Sequence, residues 1–367
     1  MADVVEAWLA KRGWTVRRQC VDAVEQRFNL FAYYEDKSHP DGHAGSPSLS
    51  SSSASAGTDG GTQSARRRVG PVGNPAILLN THIDTVPPYI PPSEDAEFLY
   101  GRGACDTKSL LAAMMLAAHE AVTVHGVVDV GLLLVVGEET DHIGMKRANE
   151  LKLTPRHLVV GEPTESRMAR RQKGIVKASI SCEGVAAHSG YPETGVNALL
   201  PLMDILGDIR AHAWPSDPLL GDTTVNFIVR EGGVACNVVP ARAVAELLVR
   251  VVTTPEDIQA QLSSIVGTRG KIEFTTCNPP IDLSVVDECH RTRRAPTDPV
   301  NWVLPSAIVN FNTDIPYFEL AAPGKAYLYG AGSILHAHTA NERMSKADLR
   351  QCRDVYVDLI RHFATSL

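Results

Sequence analysis

The residues best able to do chemistry in this chain stand directly after runs of apolar residues. Ala76-Ile77-Leu78-Leu79 leads into Asn80-Thr81-His82-Ile83-Asp84, which sets an imidazole and a carboxylate two residues apart. "GLLLVV" leads into Gly137-Glu138-Glu139, "HLVV" into Gly161-Glu162-Pro163, and "AYLYGAGSIL" into His336 and His338. Between the first two runs, "YGRGACDTK" places Asp106 just ahead of a long Ala/Leu/Met-rich stretch. Each feature has a bland reading: a satisfied polar turn for His-x-Asp, a solvated strand end for Glu-Glu, a helix cap for Asp106. Taken together, imidazoles and carboxylates without a thiol form the donor set of a hydrolytic metal centre and not of a structural zinc. The Gly-x-Gly of "GRGACD" lacks the third glycine and the preceding strand of a dinucleotide loop.

Such residues converge only if the apolar runs are neighbouring strands. From residue 76 onward, "AILLN", "VDVGLLLVV" and "RHLVV" read as buried strands, separated by the helical stretches "SLLAAMMLAAHEAV" and "MKRANELK". Alternation of strand and helix predicts an α/β fold, a mostly parallel sheet with helices on both faces. Ligands of such a sheet bind outside the carboxyl ends of its strands, which is where these side chains fall. Around residue 175 the pattern changes to alternating strands, "IVKASISCEG" and "AVAELLVRVV", with helices at "VNALLPLMDILGDIRAH" and "PEDIQAQLSSIVG". The expected organisation is a catalytic domain over 1–174 and 284–367, interrupted by a smaller α+β domain over 175–283. "IVKASIS" is a candidate exposed edge through which that domain could pair with a twin. "MADVVEAWLAKRGWTV" reads as an amphipathic helix. Residues 36–70, rich in Ser and Gly, read as a disordered surface loop in an expanded hairpin or strand connection, and its His39 and His43 as solvated.

Length and composition agree with two domains of an ordinary soluble protein. The chain has 367 residues, 44% hydrophobic and 21% charged. Lys plus Arg number 35 against 42 Asp plus Glu, a net charge of −7 that argues against a nucleic-acid partner. No apolar run is long enough for a membrane span, and the N-terminal stretch lacks a secretory core. Seven scattered cysteines without a Cys-x-x-Cys read as reduced thiols, and the expected location is cytoplasmic.

The stretches "THIDTVP", "YGRGACDTK", "GEET", "GEPTES", "AAHSGYPETGVNAL", "GGVACNVVPARAVAELLVR" and "GAGSILHAHTANERM", in this order, resemble the co-catalytic zinc hydrolases. That family includes acetylornithine deacetylase, succinyl-diaminopimelate desuccinylase, aminoacylase and carboxypeptidase G. Within it, "GEPT" and "NFNTDIPYF" look most like acetylornithine deacetylase. The resemblance implies two divalent ions, Zn²⁺ or Co²⁺. His82 and Glu162 would hold one ion, Glu139 and His338 the other, and Asp106 would bridge them. Asp84 would orient His82, and His336 would be incidental. Glu138 would act as general base on a water held between the ions.

In the inserted domain, the resemblance implies that His188 stabilises the oxyanion in a partner's site within a homodimer. It also implies that Asn237 and Arg250 bind the substrate carboxylate. The expected substrate is a small N-acyl amino acid, N-acetyl-L-ornithine above others. A carboxypeptidase or dipeptidase activity and a non-catalytic dimer stay open beside it. The chain departs from the family's pattern in starting later, with part of the first helix expected to be lacking. It departs again at 287–306, rich in Arg and Pro where a helix is usual.

Overall fold

The computed structural model describes residues 1–35, 73–286 and 304–367, and the backbone of two short strands, Glu288–His290 and Asn301–Val303. The expected loop at 36–70, with His39 and His43, and most of the Arg/Pro-rich stretch at 287–306 lie outside the described residues. In chain order the main elements begin with α1 (Ala2–Ala10), β1 (Trp14–Asp22), β2 (Arg27–Tyr34), β3 (Ile77–His82) and α2 (Lys108–Thr123). There follow β4 (Val130–Val135), α3 (Ile143–Ala148), β5 (His157–Val160), β6 (Gly174–Glu183) and α4 (Leu199–Ala211). The last are β7 (Thr224–Glu231), β8 (Arg242–Val251), α5 (Pro255–Val266), β9 (Lys271–Asn278), β10 (Lys325–Leu328) and α6 (Lys346–Thr365).

The chain divides into two compact units. The first comprises Met1–Ser166, Asp287–Leu304 and Tyr317–Leu367, and the second Arg167–Val286 and Pro305–Pro316. The second unit therefore starts before residue 175 and takes in a later segment. Strand pairing explains the addition, because Ser306–Val309 runs parallel to Met168–Gln172 within a small three-stranded sheet.

The first unit is built on a six-stranded sheet of order β1-β2-β4-β3-β5-β10. Its four strands β4, β3, β5 and β10 are mutually parallel, and β1 and β2 add an antiparallel edge. The sheet is thus mixed, a common variant of the parallel architecture expected from the sequence. Every residue of β3, β4 and β5 is buried, so both faces of the sheet's centre are covered. Unbroken apolar runs are the sequence mark of such strands. Helices α2 and α6 pack on each other and against β3. In α2, Leu110, Ala113, Met114, Ala117, Ala118 and Ala121 are buried at three- and four-residue spacing, and small alanines permit close approach.

One expectation about the N-terminus is corrected. The N-terminal helix stops at Ala10, and Trp14, Thr15 and Val16 pair with β2 instead. Gly13 makes the turn at φ +82°, a conformation that costs glycine little, and the β-branched Thr15 and Val16 favour extension. Of the two arrangements expected between β2 and β3, a hairpin or a longer strand connection, the second holds, since β4 lies between them. Six cysteines among the described residues are free. No described helix is long and apolar enough to cross a membrane.

The second unit carries a four-stranded antiparallel sheet of order β7-β8-β6-β9. Alternate residues of β6 and β8 (Val176, Ala178, Ile180; Ala243, Ala245, Leu247, Val249) form one core with Leu202, Ile205 and Ile209 of α4 and Ile258, Leu262 and Val266 of α5. Helix α5 begins with Thr254, whose side chain accepts from the Asp257 amide, followed by Pro255 in the first turn. The "IVKASIS" stretch is not an edge: β6 is paired on both sides, and the edges are β7 and β9.

Parallel register is the feature that places the site. Ile77 pairs with Val130 and with His157, and His82 with Val135, so β3, β4 and β5 end nearly level. Lys325 pairs with His157 and Leu328 with Val160, which aligns β10 with them. Leu79, fully buried in β3, lies at the middle of this alignment. Leu79→Ala should lower unfolding stability by about 2–5 kcal/mol, the usual cost of a core cavity, as measured by urea denaturation of the metal-loaded protein.

Candidate metal centre

At the carboxyl edge of the first unit's sheet, His82, Asp106 and Glu139 each offer a ligand atom within 4.8 Å of the others. His82 closes β3, Glu139 follows β4, and Glu162 follows β5 by two residues. Asp106 comes from the turn ahead of α2, whose first residue is Lys108. His338 comes from the long loop after β10 and holds a left-handed backbone, φ +62°, which histidine adopts more readily than most residues.

Asp106 stands between the two histidines. Its Oδ1 lies 3.0 Å from His82 Nε2 and its Oδ2 lies 3.3 Å from His338 Nε2. Glu162 Oε1 lies 3.9 Å from His82 Nε2, and Glu139 Oε2 3.0 Å from His338 Nε2. Asp106 thus lies within reach of both histidines, with Glu162 beside His82 and Glu139 beside His338. Nitrogen and oxygen ligands at 2.0–2.2 Å around a tetrahedral ion lie about 3.3–3.6 Å from one another. The observed spacings of 3.0–3.9 Å fit that requirement. None of these groups is a thiol, and the neighbouring Cys105 Sγ turns away to the Ser333 carbonyl at 3.4 Å.

The electrostatics point the same way. Side chains of His82, Asp106, Glu139 and Glu162 are only 1%, 7%, 7% and 6% exposed. Burial alone would lower the His82 pKa, but Asp106, Asp84 and Glu162 outweigh it and hold the imidazole well above its ordinary range. Asp106 and Glu139 push His338 up to about 10. Burial would raise Asp106, but His338 and His82 prevail and hold it far below the usual carboxylate range. Burial likewise pushes the Cys105 thiol up to about 12. A site that draws protons onto two histidines is one that attracts cations.

Asp84 has a broader role than expected. His82 Nδ1 lies 3.0 Å from the Asp84 backbone carbonyl and 3.6 Å from its carboxylate, so the carbonyl is the closer ring acceptor. The carboxylate also accepts from the amides of Glu138 and Glu139 at 3.4 and 3.3 Å. Asp84 thereby ties the ends of β3 and β4 together. Glu138, 12% exposed, lies 3.8 Å from His142, whose ring stacks on Tyr317 at 4.1 Å. His336 serves its own turn, its amide donating to Ser333 and its carbonyl accepting from Thr339.

Sequence reasoning missed the groups that fasten this site. Thr81 and Thr107 hydroxyls meet at 2.7 Å, within reach of the carbonyls of Gly161 (2.9 Å) and His82 (3.1 Å). Arg102 and Glu342 form a pair at 2.7 Å with side chains 4% and 0% exposed. Both stood inside stretches singled out for their ligands, "GRGACD" and "HAHTANER", and their charge was the available signal.

The remaining candidates lie in the second unit. His188 is exposed, its Nδ1 accepting from the Gly190 amide at 3.0 Å. It neighbours Asn237 through an isolated bridge to Val238 and a Ser189 amide bond to the Asn237 carbonyl. Arg250, half-buried, sits at the far end of β8, opposite Thr224 and Ile175. The eight-residue span from Arg242 to Arg250 measures about 26 Å at strand rise, so one chain's Asn237 and Arg250 do not share one carboxylate.

A mixed α/β sheet with imidazoles and carboxylates gathered at its carboxyl edge defines a metal-dependent hydrolase. Residues 78–362 match peptidase family M20/M25/M40, and the chain belongs to that family, whose members act on peptide and related amide bonds. A probable carboxypeptidase of Aspergillus flavus is 36% identical over 316 residues, covering 78% of this chain and 72% of the relative. A Staphylococcus aureus tripeptidase superposes with a TM-score of 0.67 at 18% identity, covering 99% of this chain and 92% of that one. A Bacillus subtilis dinuclear metal-binding peptidase of the same family has a TM-score of 0.58 at 11% identity, covering 100% and 92%.

The raised His338 pKa has a testable sign. A histidine raised from 6.5 to about 10 on folding contributes stability that is complete below 6.5 and is lost as pH climbs through about 10. After chelation, thermal stability should therefore fall between pH 7 and 10. His338→Gln should fall less over the same window, as differential scanning fluorimetry would record.

Proposed function

We propose that the chain is a two-metal hydrolase that cleaves the amide bond nearest a free carboxylate, releasing a C-terminal residue from a short peptide. The supporting observation is Asp106, whose two oxygens face the two histidines as a bridging carboxylate must. His82 and Glu162 would hold one ion, and Glu139 and His338 the other. When bound, the ions would supply Lewis-acid polarisation and a more acidic water. Glu138 stands beside Glu139 but acts on protons instead of metal. It takes the proton of the attacking water and returns it to the departing nitrogen. Asp84 holds the backbone of both glutamates through their amides.

The carboxypeptidase reading of the substrate rests on the Aspergillus relative. The "GEPT" and "NFNTDIPYF" stretches favour a second reading, deacetylation of N-acetyl-L-ornithine. Both place a carboxylate next to the scissile amide, and Arg250, with its planar fork, is the proposed receptor. A panel of dipeptides, tripeptides and N-acyl amino acids assayed with Zn²⁺ or Co²⁺ separates them. Turnover of peptides without N-acetyl-L-ornithine supports the first reading, and the reverse supports the second.

Glu138→Ala should keep two ions per chain by metal analysis and lose about 10²–10⁴-fold in kcat. Glu139→Ala should lose metal as well. Equal metal content and equal rates in the two variants would remove the distinction between base and ligand.

We further infer a homodimer formed through the second unit. Edge strand β7 leaves Phe227, Ile228 and Val229 at 36%, 48% and 52% exposure, an apolar edge that a twin could cover. The separation of Asn237 from Arg250 also suits a site completed by two chains, with His188 and Asn237 supplied in trans. Mixing inactive His188→Ala with inactive Glu138→Ala chains, after exchange is verified by tag pull-down, should restore about a quarter of wild-type activity. A mixture that stays inactive after verified exchange places His188 in cis.

A further inference from the structure

Arg102 and Glu342 are almost wholly buried, yet neither is a proposed ligand or base. Glu342 Oε1 accepts from three successive stations of the loop that carries Asp106: the amides of Gly103 at 2.9 Å, Cys105 at 3.0 Å and Asp106 itself at 3.1 Å. Its backbone carbonyl takes a fourth, from Gly101 at 3.2 Å. Gly101 runs at φ +128°, and a Cβ there would lie 3.1 Å from Pro92 Cα, so only glycine fits this close wrap. Glu342 Oε2 meets Arg102 Nη1 at 2.7 Å. The same Arg102 donates to the Thr339 carbonyl and, through Nε, to the Pro88 carbonyl, each at 3.3 Å.

These bonds join three segments. Pro88 follows the His82–Asp84 turn, Gly103 to Asp106 form the bridging loop, and Thr339 and Glu342 follow His338. A buried carboxylate gathering three amides is a charge-assisted anchor, stronger than neutral hydrogen bonds. A guanidinium fork is the side chain suited to reach several acceptors at once. We propose that Arg102 and Glu342 are positioning residues that lock the Asp106 loop to the His338 segment and so set the spacing of the two metal positions. This rests on the two-metal reading above. The ion most dependent on the lock is the one shared by Asp106, Glu139 and His338. His338, half exposed and on a long loop, has the least support of its own.

The test compares Co²⁺ binding to wild type and to Arg102→Met/Glu342→Gln, with spectroscopic titration for affinity and magnetic coupling for ion spacing. The double variant removes both charges together, which avoids an unpaired buried ion, and Gln keeps an acceptor oxygen for the amides. Wild type should bind two ions. The folded double variant should keep one at normal affinity, bind the second about 10–100-fold more weakly, and lose the coupling signal. Equal second-ion affinity and equal coupling in the two proteins would overturn the inference. Failure of wild type to bind two ions would instead overturn the two-metal reading. Should the double variant not fold, Arg102→Lys decides. It keeps the ion pair but loses the links to Pro88 and Thr339, and unchanged second-ion affinity there is equally fatal.

Discussion

Three buried carboxylates crowded around one buried and one half-exposed imidazole are the constraint that shapes the first unit. Removing a charged group from water costs several kcal/mol even after relaxation. Asp106, Glu139 and Glu162 accept that cost at exposures of 6–7%. Cations are what offset it, whether protons on the histidines or the divalent ions proposed here. The surrounding structure has to hold like charges close against their repulsion, and it does so with backbone: strand ends fixed by sheet register, and loops fixed by amide hydrogen bonds to Asp84 and Glu342.

The proposed ligands sit where the sheet's hydrogen bonding fixes the backbone and the loops just beyond it are short. His82 is the last residue of β3, and Glu139 and Glu162 follow their strands by four and two residues. Asp106 and His338 come instead from turns with no strand directly under them. Those two segments share the Arg102–Glu342 pair, while Thr81 and Thr107 stitch the Asp106 turn to β3 and to Gly161. Strand ends thus place three of the proposed ligands directly, and in the proposed arrangement buried polar networks hold the other two.

Division of labour between the two units follows from their sheets. A parallel sheet buried on both faces offers one rim for ligands, and the first unit uses it. An antiparallel sheet with helices on one face leaves edges and an open face, and the second unit exposes apolar residues along β7. His188 and Asn237 cluster at one end of that unit and Arg250 at the other. If Asn237 and Arg250 bind one substrate carboxylate as proposed, this separation gives the proposed dimer a chemical purpose.

The strands and the candidate ligand types could be read from the amino-acid order alone. Unbroken apolar runs can be satisfied only by burial on both faces, and the polar residues ending each run had no place but the rim. Legible too were α2, α4 and α5, each inside a stretch read as helical. Less legible were elements whose identity depends on a partner. Trp14 to Val16 joined a helical pattern in sequence but pairs with β2, and "IVKASIS" showed edge-like alternation yet sits in the middle of its sheet. Sheet order is a matter of long-range hydrogen bonds that leave no mark on either strand alone. The same holds for Arg102 and Glu342, 240 residues apart: each was visible as a charge, but only the folded chain makes them a pair. Folding also brings the Asp84 carbonyl closer to His82 than its carboxylate, because the turn's backbone path sets which oxygen arrives first.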